Sequence, residues 1–123
     1  MMSNYTENDV RLIGRVMRVG LLKKSSNDED VFDFAIQTTS RSSEATHRVA
    51  VFNKLALNSA KFFREGDQVI VKGELDYITW GEHGDVKETA VIRAHSAFRL
   101  NKAQTSNQQG KFENQKMPKP ATL

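Results

Sequence analysis

Within residues 46–63, THRVAVFNKLALNSAKFF, the hydrophobic period changes partway along. In the first half His47, Val49 and Val51 alternate with Thr46, Arg48, Ala50 and Phe52. That is the pattern of an extended strand, whose successive side chains point to opposite sides. From Asn53, a residue type suited to a helix N-cap, the residues Leu55, Ala56, Ser59, Ala60, Phe62 and Phe63 recur at three-to-four spacing. Glu65-Gly66-Asp67 then ends the helix. A strand that feeds directly into one short helix narrows the fold sharply, because whatever surrounds the pair has to cover both.

Strands surround it. VRLIGRVM sets Val10, Leu12, Gly14 and Val16 on one side and Arg11, Ile13, Arg15 and Met17 on the other. LLKKSSNDED is a solvated loop or hairpin connection. VFDFAIQTT is a second strand with Phe32, Phe34 and Ile36 on one side, and TSRSSEA is a polar break after it. Beyond the helix, DQVIVKGELDYITW is a long strand with Gly73 as a bulge or bend, Gly81-Glu82-His83-Gly84 a turn, and VKETAVIRAHSAFRL the last strand. The order is three strands, one helix, two strands. The expectation is an all-β chain with one short helix, a five-stranded antiparallel OB-fold barrel with its helix between strands 3 and 4. Residues 1–7 are expected as a flexible N-terminus, 8–100 as the domain, and 101–123 as a disordered, basic, polar tail.

Length and charge set limits on this picture. A chain of 123 residues supports one modest core and a tail. It has no cysteine, which excludes disulfides and thiolate chemistry and fits a reducing compartment. The polar start and the lack of an apolar run near the roughly 20 residues of a bilayer span point to a soluble chain without a membrane partner. The net charge is +3, yet residues 1–100 carry 14 Lys+Arg against 14 Asp+Glu. Any anion-binding surface in the domain therefore has to come from sorting charge onto one side.

Two strands show such sorting. Arg48 and Phe52 share a parity on one; Lys72 and Trp80 share a parity on the other, opposite Val69, Val71, Leu75 and Tyr77. Single-stranded nucleic acid offers phosphates to Lys and Arg, and unpaired bases that stack on flat rings. Phe52 and Trp80 could equally cap the barrel ends or fill a subunit contact. Arg15, Arg48 and Lys54 flank the proposed aromatic face, whereas Arg11, Lys23, Lys24 and Lys61 suit plain solvated surface. For catalysis the candidates are His47, His83 and His95 with Glu82 and Asp85, but no zinc-protease, phosphate-loop or nucleophile-elbow motif accompanies them. No enzyme, metal or cofactor is expected. The competing class is an OB-fold accessory module that works mainly through protein contacts at replication or recombination complexes.

The segments NDVRLIGRV, HRVAVFNKLA and REGDQVIVKGELDYITW, followed by a final strand, resemble the bacterial and mitochondrial type of single-stranded DNA-binding protein over roughly residues 8 to 100. The resemblance implies a barrel that assembles as a homotetramer and binds single-stranded DNA in replication, recombination and repair without strong sequence preference. It implies stacking by Phe52 and Trp80, basic contacts from Arg48 and Lys54, and a subunit contact at His47. Arg15, Arg41 and Lys72 complete the candidate basic set. Three departures bear on affinity: Thr46 stands where a tryptophan is usual, Ser40 to Ser43 lack an aromatic, and Asp76 to Thr79 lack the usual cations. Binding weaker than that of a typical member is expected, with the guanidinium plane of Arg41 as a partial replacement. The end KMPKPATL lacks the acidic tip through which bacterial members recruit replication and repair proteins. The expected location is the cytoplasm with the nucleoid, or the mitochondrial matrix if the chain is already processed.

Overall fold

The computed structural model describes residues 4–80, 84 and 87–103, with Trp80 described by its backbone alone. The alternating segments form strands β1 (Val10–Val19), β2 (Lys23–Lys24), β3 (Asp30–Ser40), β4 (Ser43–Phe52), β5 (Gln68–Trp80) and β6 (Lys87–Asn101). The three-to-four segment forms α1 (Asn53–Phe62), between β4 and β5. With the two-residue β2 set aside, this is the expected succession of three strands, a helix and two strands.

The strands are joined in the order β1-β5-β6-β4-β3-β2, and a further β1–β3 pairing closes the sheet into a barrel. The fold is an OB-fold barrel. One junction departs from a wholly antiparallel barrel: β4 and β6 run parallel, with Val49 opposite Ile92 and Ala50 opposite Arg93. The polar segment TSRSSEA is not a break. Its residues continue β3 and β4, paired out to Ser40 and Ser43 around a turn at Arg41 and Ser42.

Inside the barrel sit Val16, Phe34, Ile36, Val49, Val51, Val69 and Val71, all essentially inaccessible to solvent. Alternation explains the choice: each of these lies on the inward parity of its strand. α1 and the residue that follows it close one end through Ala56 and Phe63, the latter edge-on to Phe34 at 5.2 Å between ring centroids. Phe62, read from periodicity as part of the apolar face, instead stands half-exposed with Lys61 Nζ 5.5 Å from its ring.

Two features of the Arg64–Asp67 segment hold α1 against the sheet. Gly66 has a left-handed φ of 92°, which lets the chain turn back sharply. Asp67 is buried, and its carboxylate accepts the Arg64 N–H at 2.9 Å and the Ala103 N–H at 2.7 Å. Its carbonyl accepts the Val16 N–H at 2.8 Å. Asp67 thus ties the loop, the first strand and the segment after β6 together, and buried in this way it is a structural carboxylate.

Gly73 marks a close approach of two backbones. A Cβ there would overlap the Arg93 carbonyl of β6. At the same point the β5–β6 register slips by one, with Lys72 opposite Ser96 but Gly73 opposite Ala94. The extra residue is His95, so the bulge is carried by β6 while β5 alternates without interruption.

Candidate nucleic-acid interface

Phe52 is the last residue of β4, and the next residue, Asn53, turns the chain through a left-handed φ of 58° into α1. Asn tolerates that conformation better than most side chains. Asn53 is not an N-cap in the expected sense, since no side-chain bond caps the helix; its amide donates to Glu29 Oε2 at 3.3 Å. The corner fixes Phe52 on the outward parity with Arg48 and Ala50, while Val49 and Val51 point inward.

The parallel β4–β6 junction brings Arg93 to this corner. Its guanidinium carbon lies 4.9 Å from the centroid of the half-buried Phe52 ring, a cation–π arrangement. Arg93 Nε donates to Asp76 Oδ2 at 3.1 Å, and Nη2 lies at the same distance from that oxygen. One strand away, Arg48 Nε donates to Asp33 Oδ2 at 3.3 Å. The Tyr77 N–H, bonded to Asp76 Oδ1 at 2.8 Å, holds the Asp76 carboxyl below the usual carboxylate range, and Arg93 adds to that effect. Around the ring, then, each arginine is matched by a carboxylate.

The other sequence candidates are spread over the barrel. Lys54 is exposed in the first turn of α1, directly after Phe52 and Asn53, in a turn that holds no acidic residue. Arg15 and Lys72 lie elsewhere, on the outer faces of β1 and β5, exposed; Arg15 Nη1 donates to the Gly66 carbonyl at 3.0 Å. Arg41 is exposed at the tip of the β3–β4 hairpin. His47 is half-buried, on the inward parity, with Nε2 2.8 Å from Thr38 Oγ1. The structure therefore gathers Arg48, Phe52 and Lys54, and leaves Arg15, Lys72 and Arg41 apart from them. The Trp80 side chain lies outside the described residues, as do Glu82, His83, Asp85 and residues 104–123; the Trp80 backbone pairs with Lys87.

Leu75 and Tyr77 sit on the inward parity, as expected, yet they are 39% and 55% exposed. The reason is geometric: β5 and β6 stay paired as far as Trp80 and Lys87, so this outer part of the hairpin has little core beneath it.

Two groups escaped the sequence reading. Arg93, with Asp76 and Asp33, was hidden because alternation assigns a residue to a side of its own strand but never names the strand that will lie beside it. The second group is an outward apolar row. Ile13 pairs with Ile70 and Ile70 with Phe98, and Ile13 and Phe98 are 44% and 62% exposed. A signal for this row was present, since Ile13 stands among arginines on the outward parity of β1.

The model of the single-strand binding protein family matches residues 7–113. Among curated proteins no sequence match was found. Among solved structures, the Plasmodium falciparum SSB in complex with ssDNA is similar, with a TM-score of 0.71 and 23% identity. The alignment covers 81% of this chain and all of that one. At that identity the likeness establishes the shared fold.

Proposed function

We propose a function from one premise: the chain belongs to the single-strand binding protein family. It binds single-stranded DNA without strong sequence preference and is not an enzyme. It coats and protects strands exposed during replication, recombination and repair. The observation that carries this reading is the outward corner of β4, where Phe52 presents a ring beside Arg48, Arg93 and Lys54. Flat rings take bases and cations take phosphates, the pairing that unpaired strands require.

In this reading Phe52 and Trp80 stack on bases, while Arg15, Arg41, Arg48, Lys54 and Lys72 contact phosphates or base edges. The spread of these cations over several strands suits a strand that runs across the barrel rather than into one cavity. Copies of the chain associate, as a homotetramer, and the outward row Ile13–Ile70–Phe98 supports this. Hydrocarbon left bare on adjoining strands is what protein–protein contacts cover. His47, near the end of the barrel, belongs to a subunit contact. The protein works in the cytoplasm with the nucleoid.

The test is a titration of oligothymidylates of defined length, followed by the fluorescence of Trp80, the only tryptophan, and by the mass of the complexes. Quenching with saturation at a fixed stoichiometry is expected. Unchanged fluorescence, with no complex at low salt, would reject DNA binding and favour the accessory-module reading, for which the Ile13–Ile70–Phe98 row is the supporting observation.

A further inference from the structure

We infer that Arg93 is itself a base-stacking residue, and that the platform at the β4 corner is a two-layer stack in which the ring of Phe52 carries the guanidinium of Arg93 and the guanidinium carries the base. The inference rests on the single-stranded DNA binding proposed above and names a residue that performs it.

The geometry of the guanidinium is the first argument. It is flat, its hydrogen bonds lie in its plane, and its two faces are free to stack. The group lies over the Phe52 ring, with Cζ 4.9 Å from the ring centroid. Asp76 takes Nε and Nη2 at the edge, each 3.1 Å from Oδ2. The tether holds the group at its edge, and the side chain remains 44% exposed, so that in this proposal the face turned from Phe52 is the one a base meets. Gly73 contributes from the adjacent strand: lacking a Cβ, it lets β5 close up on the Arg93 carbonyl and sets where the side chain starts.

Charge is the second argument. Asp76 balances Arg93 and Asp33 balances Arg48, so neither arginine beside Phe52 carries an unmatched charge. A phosphate would have to displace a carboxylate to bind here, whereas an uncharged base stacks without breaking either ion pair. The exposed cations Lys54, Lys72 and Arg41 have no carboxylate partner among the described residues, and they are the ones suited to phosphates. The corner therefore selects bases, and Arg93 stands in for an aromatic ring where Thr46 and the Ser40–Ser43 segment supply none.

The experiment compares wild type, Arg93→Ala and Arg93→Lys in anisotropy titrations of a labelled oligothymidylate of about 15 nucleotides, near the upper site size of one OB barrel. Low and high salt are both used. Arg93→Ala should weaken binding roughly tenfold at both salts, the loss of one stacked base. Arg93→Lys keeps the charge but has no flat face, so at high salt it should bind as poorly as the alanine variant. Full recovery by lysine, or an alanine variant that binds like wild type, overturns the inference while leaving DNA binding intact. A wild-type chain that leaves the oligomer free overturns both readings. Should the alanine variant fail to fold, the Arg93 Nε–Hε resonance of the wild-type protein decides: ring-current displacement on addition of the oligomer supports stacking, and an unmoved signal rejects it.

Discussion

Phe52 and Phe98 are both aromatic residues on the outside of one barrel, yet their surroundings differ in kind. Phe52 is half-buried beneath Arg93, and the cation above it is held by Asp76. Phe98 is 62% exposed and its cross-strand neighbour is Ile70, which in turn adjoins Ile13. An aromatic ring under a tethered cation offers a flat, polarisable and electrically balanced surface, which suits a base. A ring continuing a row of isoleucines offers hydrocarbon alone, which suits another protein surface. Exposure by itself would have ranked Phe98 first as a ligand-binding residue; it is what surrounds the ring that separates the two roles.

The largest effect that would test this contrast is on assembly. Phe98→Glu places a charge in the apolar row and should reduce the particle mass by half or more at micromolar protein, since a central contact of this kind is worth about 2 kcal/mol or more. Light scattering after size exclusion reads it directly. Unchanged mass with lost DNA affinity would mean that the two rings have been assigned the wrong way round. Phe52→Ala should leave the mass alone and weaken oligothymidylate binding by about 1–3 kcal/mol, at high salt as well as low, because stacking is not screened. If its deficit vanished at high salt, Phe52 would be acting through the charge of Arg93 alone.

Lys72→Glu should act more gently. Removing one phosphate contact flattens the plot of log affinity against log salt by roughly 0.7, and the deficit should be largest at low salt. A slope equal to that of the wild type would remove Lys72 from the strand path. The smallest effect belongs to Asp76. Its carboxyl is depressed relative to 3.8, so its stabilising contribution is complete above that value and is lost as pH falls through the lower folded value. Asp76→Asn should melt slightly below the wild type at neutral pH, and the gap should close at acid pH once the carboxyl is protonated in both states. A gap between them that changed from pH 5 to 8 would show that Arg93 is held by something other than this carboxylate.

Much of the site was legible along the chain because its members are close in sequence. Arg48, Phe52 and Lys54 fall within seven consecutive positions, and alternation followed by a strand-to-helix corner is enough to place them together. Arg15, Arg41 and Lys72 carried the same residue chemistry without that proximity, and the barrel distributes them. Asn53 was misread for a local reason: its type permits both an N-cap and a left-handed backbone, and the sharp corner selected the second. The segment around Ser40 to Ser43 was read as a break because it is polar, whereas strands that project from a barrel need no apolar residues to stay paired.

By itself the sequence determined the element order, the two sides of β1, β3, β4 and β5, and the strand-to-helix corner, since these depend on periods that repeat within a few residues. Only the tertiary structure decided that β6 would lie parallel to β4, that bulges would set its register, and that Arg93 would come to rest over Phe52. Those outcomes depend on closing a barrel across some forty residues of chain, and no local period records which strands will meet when it closes.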